Sequence, residues 1–288
     1  LNFFDKKKYV TIGCEPAENL INALNKKCSY VIDDFWSNDV FNTLIKNKKL
    51  KNNKAKIITA IGMFYDLEDP NIFIRDIEKS LDDDGVFIAQ LMCLESMLKT
   101  NDLGNICHEH LEYYSFDSLK YLYEKNGLEI TNITKNQVNG ESYRIFARKL
   151  KNGSIKYNEN TSLKDIMKFV KDIEKIKNNL NKFIDSELKK DKKIFVYGAS
   201  TKGNTILQYF QIDNNRIPYA ADRSPEKWGK YTVGSGIKII SEQEARDLNP
   251  DYFLVLPWSF LDNFIERESE WRKKGGKFIV PFPSLRII

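Results

Sequence analysis

The sequence predicts an α/β protein built as two successive units, the first a doubly wound sheet. Three observations carry this. Short apolar runs ending in glycine or turn residues alternate with segments of helical periodicity, at the spacing of βα units. One run, residues 55–61, is continuously apolar, as in strands covered on both faces of a parallel sheet. After a long amphipathic segment the same strand–turn–helix alternation begins again, and 288 residues suffice for two domains of ordinary size.

Residues 8–13 form a short strand ending at Gly13, and Glu15-Pro16-Ala17 opens a helical pattern through Leu24. A strand over 29–32 and a short helix over 40–44 precede the apolar strand 55–61. Residues 70–81 are amphipathic, with Ile72, Phe73, Ile77 and Leu81 on the inward stripe. The run Asp82-Asp83-Asp84-Gly85 reads as a turn before a second buried strand, 86–91. A helix over 118–126 is closed by Gly127, followed by late strands at 128–134 and 142–148 suited to antiparallel pairing. Residues 149–157 mark a boundary. The helix 162–189 follows, with Ile166, Phe169, Val170, Ile173, Ile176, Leu180, Phe183 and Ile184 recurring at helical spacing and lysines opposite. The second unit reads as strand 193–197, a glycine-bounded turn 198–203, helix 204–210 and strand 219–221 ending at Asp222. Strand 252–256, helix 260–274 and strand 277–280 complete it.

Composition narrows the function. Hydrophobic residues are 42% and charged residues 30%, a globular balance. The net charge of +5 is spread along the chain and gives little support for nucleic-acid binding. No run approaches the length of a membrane-spanning helix, and the first residues lack the charge order of a secretory leader. Cys14, Cys28, Cys93 and Cys107 form no C-x-x-C pair, which argues against a zinc knuckle and fits reduced cytoplasmic thiols.

The chemistry-bearing stretch is Cys107-His108-Glu109-His110-Leu111-Glu112-Tyr113-Tyr114-Ser115, which holds both histidines of the chain. Spacing of two residues is not that of a helical metal-binding pair, and no third ligand is evident, so no metal is expected here. Acid/base work suits the run better, because histidine titrates near neutrality and a neighbouring carboxylate raises its basicity or fixes its tautomer. A polar loop whose histidines only cap structure is the competing reading. Glu15, at a strand's C-terminal end, is placed either to accept a ribose diol or to cap the next helix. Ala60-Ile61-Gly62-Met63-Phe64-Tyr65 offers small residues and rings for a flat ligand, or for ordinary packing. The turn Gly198 to Gly203, with Lys202, has the look of a phosphate cradle but lacks dinucleotide spacing; Asp222 stands where a ribose-binding acid would. Trp228 and Trp258 either line that cleft or fill a core.

Taken together, these motifs resemble the S-adenosylmethionine-dependent sugar C-methyltransferases, which methylate C3 of nucleotide-linked 4-keto deoxysugars. The likeness is carried by Gly13-Cys14-Glu15-Pro16-Ala17, Phe64-Tyr65-Asp66-Leu67-Glu68-Asp69-Pro70, the His108-Glu109-His110 run and Asn139-Gly140-Glu141-Ser142-Tyr143-Arg144. Residues 197–204, 221–230 and Val255-Leu256-Pro257-Trp258 extend it through the second unit. It implies a class I methyltransferase-like domain over 1–150, a connecting helix over 151–190 and a Rossmann-like C-terminal domain over 191–288. It also implies S-adenosylmethionine bound by Gly13, Glu15, Ala60, Met63 and Phe64, and catalysis by His110 and Glu109 with His108 and Tyr114. Tyr65, Cys107, Asn139, Arg144 and Lys202 would meet the sugar nucleotide. Cys107 stands where the family has tyrosine, and Glu141 where a second glycine is expected. The family's zinc-binding segment and glycine-rich cofactor turn do not precede Gly13. The resemblance therefore implies a chain truncated at its N-terminus, with zinc only in such a missing segment. A cytoplasmic monomer or dimer acting on a small molecule is expected. An O-methyltransferase of surface-polysaccharide sugars, a nucleotide-sugar-binding protein with an incomplete cofactor site, and a dinucleotide oxidoreductase are the alternatives.

Overall fold

The computed structural model describes residues 4, 5, 7–159 and 161–288. In chain order it contains β1 (Ile12–Cys14), α1 (Glu18–Asn25), β2 (Tyr30–Ile32), α2 (Asn38–Asn47), β3 (Ala55–Ile61), α3 (Pro70–Ser80), β4 (Leu81–Met92), α4 (Leu94–Thr100), α5 (Phe116–Lys125), β5 (Leu128–Asn136) and β6 (Ser142–Lys149). There follow α6 (Leu163–Leu188), β7 (Ile194–Tyr197), α7 (Thr201–Phe210), β8 (Tyr219–Asp222), β9 (Lys238–Ser241), α8 (Glu242–Asp247), β10 (Tyr252–Val255), α9 (Leu261–Arg267), α10 (Ser269–Lys273), β11 (Lys277–Val280) and β12 (Arg286–Ile287). Contacts divide the chain into two units. The first is Leu1–Leu91, Phe116–Asn136 and Tyr143–Asn158; the second is Met92–Ser115, Gln137–Ser142 and Glu159–Ile288.

In the first unit β1 and β2 pair in parallel, and β3, β4, β6 and β5 form a separate sheet in that order. The core beside the larger sheet is aromatic. Phe64 packs edge-on against Phe73 at 5.8 Å, and Phe87 stacks on Tyr123 at 5.9 Å. Helix α3 starts where Asp69 accepts the N–H groups of Asn71 and Ile72 and Pro70 supplies a preset φ. Three expectations are corrected here. The strand 55–61 is an edge strand, with Ile57 47% and Ile61 55% exposed, because it has β4 on one side only. On α3 the expected Phe73 and Ile77 are buried, as is Leu81 just after it, but Ile72 is 52% exposed and the fully buried Ile74 takes its place on the inward stripe. The acidic run 82–85 lies inside β4, where pairing jumps from Ala55–Leu81 to Ile57–Val86, so the turn is a bulge within the strand.

The second unit holds a sheet in the order β12-β11-β10-β7-β8-β9, parallel from β9 to β11, with β12 antiparallel at the edge. The chain leaves β7 for β8 on one side and returns to β10 on the other. The C-terminal end of β7 is therefore a topological switch point, where open α/β sheets place their loops for binding. Its core includes Phe195, Tyr197, Phe253, Trp271 and Phe278. Helix α6 begins in a capping box formed by Ser162 and Asp165. It buries Phe169, Ile173, Ile176, Leu180 and Ile184, while Ile166 and Val170 stay exposed, contrary to the expected stripe. The helix expected over 260–274 breaks at Glu268, whose buried carboxylate accepts from Tyr197 and Arg246. No helix among the described residues is long and apolar enough to cross a membrane.

Candidate active site

The residues expected to meet a cofactor lie in the first unit. Gly13 is buried in β1 beside Leu24. Glu15 follows directly. Its Oε1 accepts the Ala17 N–H at 3.0 Å, so the carboxylate helps start α1 while remaining only half-buried at the strand's C-terminal end. Burial, with the Asp34 and Glu15 carboxylates, pushes the neighbouring Cys14 thiol up to about 11, which keeps it protonated. Ala60 is buried in β3 opposite Ala89, and Met63 precedes the single turn that carries Phe64 and Tyr65. Phe64 is fully buried among the rings of Phe73 and Tyr123. Arg144, also in this unit, donates to Gln90 Oε1 at 3.3 Å, and Asn136 donates to the same oxygen at 3.4 Å.

The histidine run lies in the second unit, in a loop between a short turn at 103–105 and α5. His108 and Glu109 are exposed, His110 half-buried, and Cys107 and Tyr114 buried. His110 Nδ1 lies 2.8 Å from the Asn105 carbonyl oxygen. A carbonyl can only accept, so in the neutral ring Nδ1 carries the proton and Nε2 the basic lone pair. Burial lowers the His110 pKa below the ordinary histidine value, and Lys202 pushes the same way against Asn105 and Glu109. Burial and then Glu109 raise the Cys107 thiol. Burial, with Glu112, raises the Tyr114 hydroxyl, so it stays a donor at neutral pH.

Sequence reasoning missed what stands behind His110. Asp102 and Asn105 are 5% and 4% exposed. Asn105 donates its side-chain amide to Asp102 Oδ2 at 2.8 Å, and its side-chain oxygen accepts from Lys202 Nζ. The Asn105 main-chain carbonyl takes Tyr113 Oη at 3.3 Å as well as His110. Burial raises the Asp102 pKa, and Lys202 and then the Trp258 side chain oppose it, so that ring stands beside this cluster. Two glycines make room for it. A Cβ on Gly104 would stand 2.9 Å from Lys202 Cβ and 3.3 Å from the Lys202 carbonyl oxygen. Gly140, at φ +87°, lets its loop lie over Asp102 and Trp258 with no side chain between. The available signal was Asn101-Asp102-Leu103-Gly104-Asn105, a dense polar stretch directly before the run.

Several donors of the turn at the end of β7 are already engaged within the protein. The Ala199 N–H donates to Asp222, the Gly203 N–H to Ser200, and Lys202 to Asn105. Trp228 donates to the Asp222 carbonyl at 2.8 Å. Glu141 sits at φ +94°, a strained position for a residue with a side chain, and its carboxylate meets Ser96 Oγ. The Asn139 side chain lies outside the described residues. Among the described residues no cluster of histidine, cysteine or carboxylate groups could hold a metal ion.

Comparison with known proteins gives this geometry its context. Residues 1–133 match the model of a methyltransferase domain, which defines the class of the first part of the chain. Residues 142–283 match the model of the C-methyltransferase C-terminal domain. C-methyltransferase NovU of Streptomyces niveus is 26% identical over 292 residues, covering 96% of this chain and 68% of that protein. Together these matches support an S-adenosylmethionine-dependent methyltransferase whose second part is similar to the C-terminal domain of C-methyltransferases. Among solved structures, a TehB-like methyltransferase of Corynebacterium glutamicum is 13% identical with a TM-score of 0.32, over 50% of this chain and 71% of that one. The PH0226 protein of Pyrococcus horikoshii is 13% identical with a TM-score of 0.35, over 50% and 74%.

Proposed function

We propose that the protein methylates the carbon next to a ketone on a nucleotide-linked deoxysugar. The observation that supports this best is the His110 ring, whose Nδ1 proton is committed to Asn105 and whose Nε2 is thereby the basic nitrogen. A carbon α to a ketone is a weak acid, so it needs such a base together with donors for the enolate oxygen. His110 Nε2 takes the α-proton. Glu109 favours the imidazolium that results, as its charge already opposes the burial of the ring. Tyr114, kept protonated, and His108 supply donors to the enolate oxygen or hold the sugar. When bound, S-adenosylmethionine supplies an electrophilic methyl group. The residues of the first unit suit its adenosine portion: the half-buried Glu15 carboxylate can accept a ribose diol with its remaining capacity, and the small Ala60 and the Met63 turn leave space for a flat ring over the buried Phe64. Cys107, Tyr65, Asn139, Arg144 and Lys202 are assigned to the sugar nucleotide or to shaping its surroundings.

The test is methyl transfer from labelled S-adenosylmethionine to a nucleotide-linked 4-keto deoxysugar, with product analysis. A new carbon–carbon bond is expected. Label on a hydroxyl oxygen, with no loss of an α-hydrogen, would instead mark an O-methyltransferase.

A further inference from the structure

We propose that Lys202 is a positioning residue for His110, acting through Asn105, whose clamped carbonyl selects the ring tautomer. The inference rests on the reading of His110 as the base and extends it to residues that touch no reacting atom.

The argument starts from the Asn105 carboxamide. Both of its ends are used, its nitrogen on Asp102 Oδ2 and its oxygen on Lys202 Nζ, and the residue is buried. A buried amide held at both ends cannot rotate without leaving a polar group unpaired. Its own backbone is fixed by the Asn105 N–H donating to the Asp102 carbonyl at 3.2 Å. The carbonyl that faces His110 is therefore fixed from two sides. Asp102 in turn lies close to Gly104, and it and the Trp258 ring both lie close to Gly140. The start of α7 abuts Gly104 so closely that no side chain fits between Gly104 and Lys202. Asp102 from the loop 101–105 and Lys202 from α7 thus converge on the Asn105 side chain, whose main-chain carbonyl meets His110.

Lysine adds a second effect that a neutral donor would not. Its charge disfavours the imidazolium, working with burial against Glu109 and the Asn105 carbonyl. Besides these, Tyr113 shares the Asn105 carbonyl, and the Cys107 thiol stands near enough to Glu109 to feel its charge. Together they describe a resting state in which His110 is neutral with Nε2 unprotonated, the form a general base must have.

The chain has two histidines, so nitrogen-15 NMR of the imidazoles is readable without substrate or methyl donor, with H108Q assigning the signals. Wild-type His110 is expected as the Nδ1–H tautomer at neutral pH. In K202M the Nδ1–H form should lose its dominance and the His110 titration should move to higher pH, while His108 stays in place. K202R, which keeps donor and charge, should restore both. A wild-type ring in the Nε2–H form, or a folded K202M with unchanged tautomer and titration, overturns the proposal. If K202M does not fold, W258F replaces it: it removes the indole N–H that favours the Asp102 carboxylate and keeps a ring. A tautomer shift in W258F supports the clamp and an unchanged one overturns it. Unchanged imidazole signals alongside His110-dependent methyl transfer would sink the clamp alone and leave the proposed reaction standing.

Discussion

At the scale of single residues, His110 is set by opposing forces of known sign. Burial and Lys202 lower its pKa, Asn105 and Glu109 raise it, and the lowering wins. A general base works in its neutral form, so the rate should be full above the lowered pKa and fall as pH drops through it. The acid limb of the pH–rate profile is expected below 6.5, the ordinary histidine value. A limb above that value would contradict the account. Glu141 makes a separate prediction. Its φ of +94° suits glycine, so E141G should stabilise the fold by about 1 kcal/mol in denaturant unfolding, the relief of strain outweighing the lost contact with Ser96. Glu109 and His110 were legible as candidates because a carboxylate between two histidines is a rare pattern. Asp102 and Asn105 were not, since acidic and amide residues in loops are common and nothing local marks them as buried.

At the scale of elements, polar groups fix where strands and helices begin and end. Glu129 in β5 is buried and accepts the successive N–H groups of Lys151, Asn152 and Gly153 at 2.8, 2.6 and 2.7 Å, with Arg148 Nε at 2.6 Å. Burial would raise its pKa, but these donors outweigh it and take it from 4.5 down to about 2. A depressed pKa gives stability that is present above the unfolded value and lost as pH falls from about 4.5 towards about 2. E129Q should cost about 3 kcal/mol at neutral pH and flatten stability across that acid range. Removing the N-terminal cap of α6 with S162A should cost about 1 kcal/mol. The long strands and α6 were readable from apolar runs and helical spacing. The strand β9 and helix α8 went unread because both are short, although Ser241, three residues before Glu244, carries the capping signal that the structure uses. The edge position of β3 was illegible because an apolar run does not say how many neighbours a strand has.

At the scale of the whole molecule, sequence order and contact order differ. Residues 92–115 follow the strands of the first unit in the chain, yet their contacts belong with the second unit. The contact of Lys202 with Asn105 spans ninety-seven positions, and separations of that kind leave no periodic trace. Amide exchange of 101–115 should therefore track that of α7 and not that of β3, and K202M should raise both together; exchange that follows β3 would contradict the division. The central claim is that carbon, not oxygen, is activated, and that His110 does it. The most direct measurement is solvent deuterium incorporation at the α-carbon of a nucleotide-linked 4-keto deoxysugar, with wild-type protein and with H110A. Exchange by the wild type, slowed about 10²–10⁴-fold in the variant, is the predicted result. Equal exchange in both, or methylation without any exchange, would contradict it.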